Sequence, residues 1–146
     1  MMKVADIEGV RKTVVTVPSS SRLGEVARTM RMANIGAAVV SSGGDRFAGM
    51  ITERDIVHAI GLGGPAAANL TAGEAMMSPV PTCSLTDFVP DVMHRMLSHR
   101  IRHLALVEEG RPVGMVSTGD VIKALLDRME MEANVLRDMY LTARSR

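Results

Sequence analysis

One cysteine, one tyrosine, two phenylalanines and no tryptophan among 146 residues exclude several classes of function at the outset. A single thiol, Cys83, cannot supply an intrachain disulfide framework or a multi-cysteine zinc site, which agrees with a reducing, cytoplasmic setting. So few aromatic rings leave no stacking platform for single-stranded nucleic acid. An excess of one charge is missing too. Seventeen Lys and Arg stand against 16 Asp and Glu, a net charge of +1, and no global field would draw in DNA, RNA or an anionic membrane. The opening residues, Met1-Met2-Lys3-Val4-Ala5-Asp6, reach an acid before any apolar run develops, so neither a signal peptide nor a spanning helix is expected. Aliphatic residues are plentiful instead. With 13 Met and 47% of residues apolar, a pliable core in one compact module is expected.

The chain contains one unit twice. Ile35-Gly36-Ala37-Ala38-Val39-Val40, a Gly-rich turn, and Phe47-Ala48-Gly49-Met50-Ile51-Thr52-Glu53-Arg54-Asp55-Ile56-Val57 return about 65 residues later. The second copy runs Ile101-Arg102-His103-Leu104-Ala105-Leu106-Val107, a Glu109-Gly110 turn, and Pro112-Val113-Gly114-Met115-Val116-Ser117-Thr118-Gly119-Asp120-Val121-Ile122. Such duplication implies two supersecondary units that bury their apolar faces on one another. In each unit a short β-branched strand, 13–17 or 80–83, precedes a helical stripe. The first stripe is Leu23, Val26, Ala27 and Met30; the second is Leu85, Val89, Val92, Met93, Met96 and Leu97. Pro90 belongs near a helix beginning, which places that start at about Thr86 or Asp87. Two strands joined by a tight turn and a closing helix, from near Glu53 or Thr118, complete each unit. The expected fold is α/β: residues 1–61 the first repeat, 62–70 a Gly- and Pro-rich loop, 71–127 the second repeat and 128–146 a helical extension. Thr71-Ala72-Gly73-Glu74 reads as a capping box opening a short helix through Met76-Met77.

Each repeat carries Gly-apolar-apolar-Ser/Thr-x-x-Asp. Thr52 and Ser117 end a strand, and Asp55 and Asp120 lie in the first turn of the following helix, so hydroxyl and carboxylate face one cleft. A carboxylate so placed can accept both vicinal hydroxyls of a ribose, while the hydroxyl and the free N–H groups of the helix start suit a phosphate. The same spacing is also that of a helix capping box, and both readings stand at this point.

These residues resemble the cystathionine β-synthase (CBS) domain pair, over nearly the whole chain. The likeness is strongest at Ile51-Thr52-Glu53-Arg54-Asp55-Ile56-Val57, at Arg100-Ile101-Arg102-His103-Leu104 and at the Gly114 to Asp120 motif; it departs at Ala105, where similar proteins usually have Pro. The resemblance implies two repeats around a pseudo-twofold axis, each a small sheet with packed helices. It also implies an adenosine-containing ligand such as AMP, ADP, ATP, NAD(H) or S-adenosylmethionine, held for regulation and not for catalysis. Carried onto this chain, Asp55 and Asp120 would take ribose, with Thr52, Ser117 and Thr118 near phosphate and Thr16, Val17, Val80 and Thr82 bordering the adenine. Because the first repeat has Gly36-Ala37-Ala38 where the second has Arg102-His103-Leu104, the two clefts should differ. Asp120, with Arg102 and His103 nearby in sequence, is the expected phosphate-bearing site, and Arg54 is a candidate phosphate ligand at Asp55.

His58, His94 and His99 lack paired spacing with other ligands, and no metal site is expected. Cys83 reads as a small buried residue. Nor does any spacing suggest a nucleophile with its base, so no catalytic residue is assigned. The last helix, expected over 118–141, repeats Ile122, Leu126, Met129, Ala133, Leu136 and Tyr140 as a heptad seam flanked by Arg128, Glu130, Glu132 and Arg137. That pattern fits a homodimer; folding of the stripe back onto its own domain is the alternative. A purely structural dimerisation module and a nucleotide-acting enzyme are the competing readings of the chain, and the regulated partner has no sequence signature.

Overall fold

Two apolar runs flanked by turns dictate the architecture. The computed structural model describes residues 1–146, and each repeat builds one three-stranded sheet. In the first, β1 (Thr16–Pro18) pairs parallel with β2 (Ala37–Ser41), which pairs antiparallel with β3 (Phe47–Thr52). The second repeats that order with β4 (Thr82–Cys83), β5 (His103–Glu108) and β6 (Arg111–Ser117). Helix α1 (Leu23–Ala33) links β1 to β2, α2 (Glu53–Gly63) follows β3, and α3 (Ala72–Ala75) leads to the second sheet. There α4 (Val89–His99) and α5 (Thr118–Arg144) take the places of α1 and α2.

The central strands carry unbroken apolar runs, residues 37–40 and 104–107, because both their faces are covered there. Ala38, Val40 and Ile51 pack with Leu23, Val26 and Met30 of α1; Leu104, Leu106 and Val116 pack with Val89, Val92 and Met96 of α4. Their neighbours in sequence point the other way, so Ala37, Val39 and Met50 meet Ala105 and Met115 between the two sheets. The Glu109-Gly110 turn has φ of 52° and 75°, the paired left-handed conformation of a two-residue hairpin, where glycine at the second position costs nothing.

Each unit borrows its leading segment from the other repeat. Val4, Ile7 and Val10 are buried in the second-repeat core, where the Val4 and Ala5 amides donate to the Asp87 and Leu85 carbonyls at 2.9 and 3.0 Å. In return, Ala72 is buried in the first-repeat core, with its amide donating to the Ser21 carbonyl at 2.7 Å. The crossing segments run along the motif strands: Met50 and Met77 exchange two backbone bonds, and the Met115 amide donates to the Val10 carbonyl at 3.3 Å. This explains the motif glycines. A Cβ at Gly49 would stand 2.6 Å from the Met77 carbonyl oxygen, and one at Gly114 would strike that of Val10.

Several boundaries differ from expectation. The first strand is regular only from Thr16, because the chain before it bonds across to the other repeat through the Lys12 amide and the Val113 carbonyl. Pro79 and Pro81 offer no N–H, so β4 shrinks to Thr82 and Cys83. Helix α4 starts at Val89, whose amide donates to the Met2 carbonyl. Residues 84–87 form a turn instead, held by the Ser84 amide on the Asp87 carboxylate at 3.0 Å. The expected loop at 62–70 is helical: α2 runs to Gly63, and a 3-10 segment, Gly64–Asn69, continues with Pro65 in its first turn. Thr71 accepts from the Glu74 amide at 3.2 Å, but α3 ends at Ala75 because Met77 turns to pair with Met50.

Helix α5 buries only Val121. Ile122, Leu126, Met129, Leu136 and Tyr140 are all at least 50% exposed, so the heptad seam does not fold back onto its own domain. At 1.5 Å per residue the helix reaches roughly 40 Å.

Candidate functional site

Both Ser/Thr-x-x-Asp turns close as reciprocal capping boxes. The Asp55 carboxylate accepts from the Thr52 amide at 2.8 Å and from the Thr52 hydroxyl at 3.1 Å, while the Asp55 amide donates to that hydroxyl at 3.3 Å. In the second repeat the Asp120 carboxylate accepts from the Ser117 amide at 2.8 Å, and the Asp120 amide donates to the Ser117 hydroxyl at 3.0 Å. The capping reading is therefore realised in both copies. It leaves a ligand site open, because every bond to either carboxylate falls on one oxygen, Oδ2. Each Oδ1 is free of protein partners. The Ser117 hydroxyl also keeps its proton for another acceptor, whereas that of Thr52 is spent on Asp55.

The two turns open on separate clefts of about 310 Å³ and 320 Å³. Asp55 and Thr52 share the first with Glu53, Arg54 and His58 from the first repeat and with Met77, Arg100, Ile101, Arg102 and His103 from the second. Asp120 and Ser117 share the other with Met115 and His103, and across the interface with Lys12, Thr13, Val14, Val15, Ile35 and Ala37. Gly36 and His103 border both. Each cleft is thus composite, built from the motif of one repeat and from residues of the other.

This reverses one expectation. Arg102 lies in the cleft of Asp55 and not in that of its sequence neighbour Asp120. Its carbonyl accepts from the Thr118 amide at 2.9 Å, which ties its backbone to the start of α5, yet the residue lines the cleft of the other repeat's motif. Only His103, next along the strand, reaches the Asp120 cleft. Thr118 lines neither cleft; its hydroxyl faces the Met96 sulfur at 3.6 Å and the Arg102 carbonyl at 3.4 Å. Val17 is buried in the first core, where strand alternation points it at α1. Val80 packs between the sheets, the Thr82 carbonyl accepts from Arg95 at 2.7 Å, and Thr16 borders a shallow depression beside Arg111. The residues just before the strands, 12–15, hold the places expected of Thr16 and Val17. Sequence reasoning also passed over Glu53, Arg100 and His58 as lining residues; the αL position of Arg100 at the end of α4 aims the chain toward the Asp55 cleft.

Charge differs between the clefts. Arg54, Arg100 and Arg102 have no ion pair within the chain, whose three salt bridges are Arg11–Glu108, Arg95–Asp87 and Arg128–Glu132. Their cleft also contains Glu53 and Asp55, whereas the other pairs a single Lys12 with Asp120 and has five apolar residues on its walls. His103, at the junction, is held below the usual histidine range, chiefly by burial, against the attraction of Asp120 and Glu53. Burial thus favours its neutral form. Cys83 lies outside both clefts, and burial, reinforced by Asp87, pushes its thiol up to about 12. No group of three or more His, Cys, Asp or Glu side chains is placed to hold a metal ion, and no helix is long and apolar enough to cross a membrane.

Known proteins share this fold. The family model described as CBS domain matches twice, over residues 4–62 and 72–127. The mitochondrial CBS domain-containing protein CBSX3 of Arabidopsis thaliana is 32% identical over 106 residues, which cover 70% of this chain and 52% of that protein; the chain spans about half the length of this relative. The crystal structure of the CBS-domain containing protein ATU1752 from Agrobacterium tumefaciens superposes with a TM-score of 0.75 at 36% identity, covering 83% of this chain and 89% of that one. The CBS domain pair of protein MJ0100, in complex with 5′-methylthioadenosine and S-adenosyl-L-methionine, shares the fold with a TM-score of 0.77 at 24% identity, over 88% of this chain and 98% of that one.

Proposed function

Since the chain belongs to the CBS-domain family, we propose that it is a regulatory module without catalytic activity, which holds an adenosine-containing ligand in one or both clefts and relays occupancy to a partner protein. The observation that carries this reading is the free Oδ1 of Asp55 and of Asp120, each beside a helix N-terminus in a cleft of ligand size. A ribose diol donates two hydrogen bonds to such an acceptor, and charge-assisted bonds of this kind are the strong ones. AMP, ADP, ATP, NAD(H) and S-adenosylmethionine all present that diol. In the Asp120 cleft, Val15, Ile35 and Met115 offer an apolar wall to the purine.

Relay follows from where the clefts lie. Both are bounded by Gly36 and His103 and draw on both repeats, so a ligand that prefers one spacing of the halves shifts the population toward it. Helix α5 supplies the second element. Its exposed heptad seam, with charges of both signs alongside, fits a second copy of the chain, and pairing would cover those side chains. That seam alone is what favours the structural dimerisation module as a second reading. Isothermal calorimetry separates the two: heat on adding AMP, ATP, S-adenosylmethionine or NADH supports the nucleotide module, and silence from all of them leaves only assembly.

A further inference from the structure

We propose that the two clefts are specialised by ligand charge: the Asp55 cleft for a nucleoside di- or triphosphate, the Asp120 cleft for an adenosine compound with little or no phosphate charge. This rests on the chain being a nucleotide module and assigns to each cleft its class of ligand.

Three arginines, Arg54, Arg100 and Arg102, line the Asp55 cleft from two different repeats; none is ion-paired within the chain, and they outnumber the cleft's two carboxylates, Glu53 and Asp55, by one. Guanidinium forks match phosphate oxygens two at a time and keep their charge at any working pH. The backbone at Arg100 adds an independent observation. Arg100 ends α4 in the left-handed conformation at φ 53°, as Asn34 ends α1 at φ 54°. Asparagine tolerates that region and arginine does not favour it. The duplicated repeat thus has the well-suited residue at one copy and a strained cation at the other, and strain of this kind gathers where a side chain is needed for binding. Two positions on, the pattern recurs: Arg102 stands where the first repeat has Gly36.

Across the interface the chemistry is different. Lys12 is the only permanent cation lining the Asp120 cleft, and Asp120 offsets it, while Val14, Val15, Ile35, Ala37 and Met115 are apolar. Burial of His103 disfavours a charge on its ring there. A triphosphate in this cleft would lose much of its hydration without cations to replace it; a nucleoside would lose little.

The protein carries its own reporters, because Met77 lines the Asp55 cleft and Met115 the Asp120 cleft. Methyl spectra of the full chain with labelled methionine, titrated separately with ATP and with adenosine, therefore resolve the sites. ATP is expected to move Met77 first, with an affinity that falls as salt is raised, and adenosine to move Met115 with little salt dependence. The double variant Arg100→Asn, Arg102→Gly installs the first repeat's own residues. It should weaken ATP at Met77 by roughly tenfold or more through lost charge-assisted bonds and leave adenosine at Met115 unchanged. Arg102→Gln alone should show the same loss in smaller degree. An ATP response at Met77 that survives both changes, or one that appears first at Met115, overturns the assignment and leaves the nucleotide module standing. Silence of both methyls toward both ligands overturns the two together.

Discussion

Replacing Gly114 by alanine should destabilise the fold and loosen the Asp120 cleft at once. The new Cβ would strike the Val10 carbonyl and come 3.1 Å from Leu106 Cδ2. Leu106 is fully buried, so the N-terminal crossing segment must yield. Its movement breaks the Met115 to Val10 and Lys12 to Val113 backbone bonds, each worth about 1 kcal/mol net. Partial withdrawal of Val4, Ile7 and Val10 from the second core adds to that, since each full side-chain burial contributes about 1.5–3 kcal/mol. A loss of about 2–4 kcal/mol is expected, the lower figure if only the two bonds break. Urea unfolding reads it as a lower midpoint at constant slope. Gly119→Ala is the control: its nearest neighbour, the Ser117 hydroxyl, stands at an ordinary 3.6 Å, and alanine in a helix should be neutral or favourable by up to about 1 kcal/mol. A Gly114→Ala loss below about 0.5 kcal/mol, the range of ordinary surface changes, would refute the claim that the crossing segment is what requires a glycine in the motif.

Ending the chain after Asp127 removes four of the six seam positions, Met129, Ala133, Leu136 and Tyr140, but no buried side chain, so light scattering should show the mass of one chain where full-length protein shows two, with the thermal midpoint of the fold retained; a dimer that persists refutes pairing through residues 128–146 of α5. His103 titrates lower in the folded chain than when unfolded, so the unfolded state takes up its proton first and stability should fall as pH drops below about 6.5, the unfolded value; His103→Gln should flatten that slope, and an unchanged slope in urea titrations across this range contradicts the placement. The Cys83 thiol, 3% exposed and raised to about 12, should resist a disulfide reagent in the native protein and react only as fast as the chain opens; immediate labelling at pH 8 would show it exposed.

How much of the fold and its clefts was legible in the sequence follows from the range of each interaction. The runs Ala37-Ala38-Val39-Val40 and Leu104-Ala105-Leu106 declare covered strands because both faces of each are buried, and Leu23, Val26 and Met30 declare a helix by spacing alone. Thr52 and Ser117 mark helix starts through bonds only three residues long. What stayed hidden depends on the other repeat. Nothing local says that Val4 and Val10 belong to the second core, that Gly49 and Gly114 yield to crossing segments, or that Arg102 leans toward Asp55. The prolines at 79 and 81 did carry a readable signal, since a strand lacking two donors must shorten. Val17 was misplaced because its β-branched character suits a core and a ligand wall equally, and only the register with Val40 decides which.

Calorimetry on the full chain and on Asp120→Ala with adenosine, together with AMP, ATP, S-adenosylmethionine and NADH, tests the central claim most directly. At least one of these ligands should bind the native protein, and loss of the Asp120 carboxylate should weaken adenosine by ~1–3 kcal/mol through the ribose hydrogen bonds. Equal adenosine affinity in the variant would show that Asp120 does no more than cap α5, and no heat from any ligand at millimolar concentration would contradict the nucleotide module as a whole.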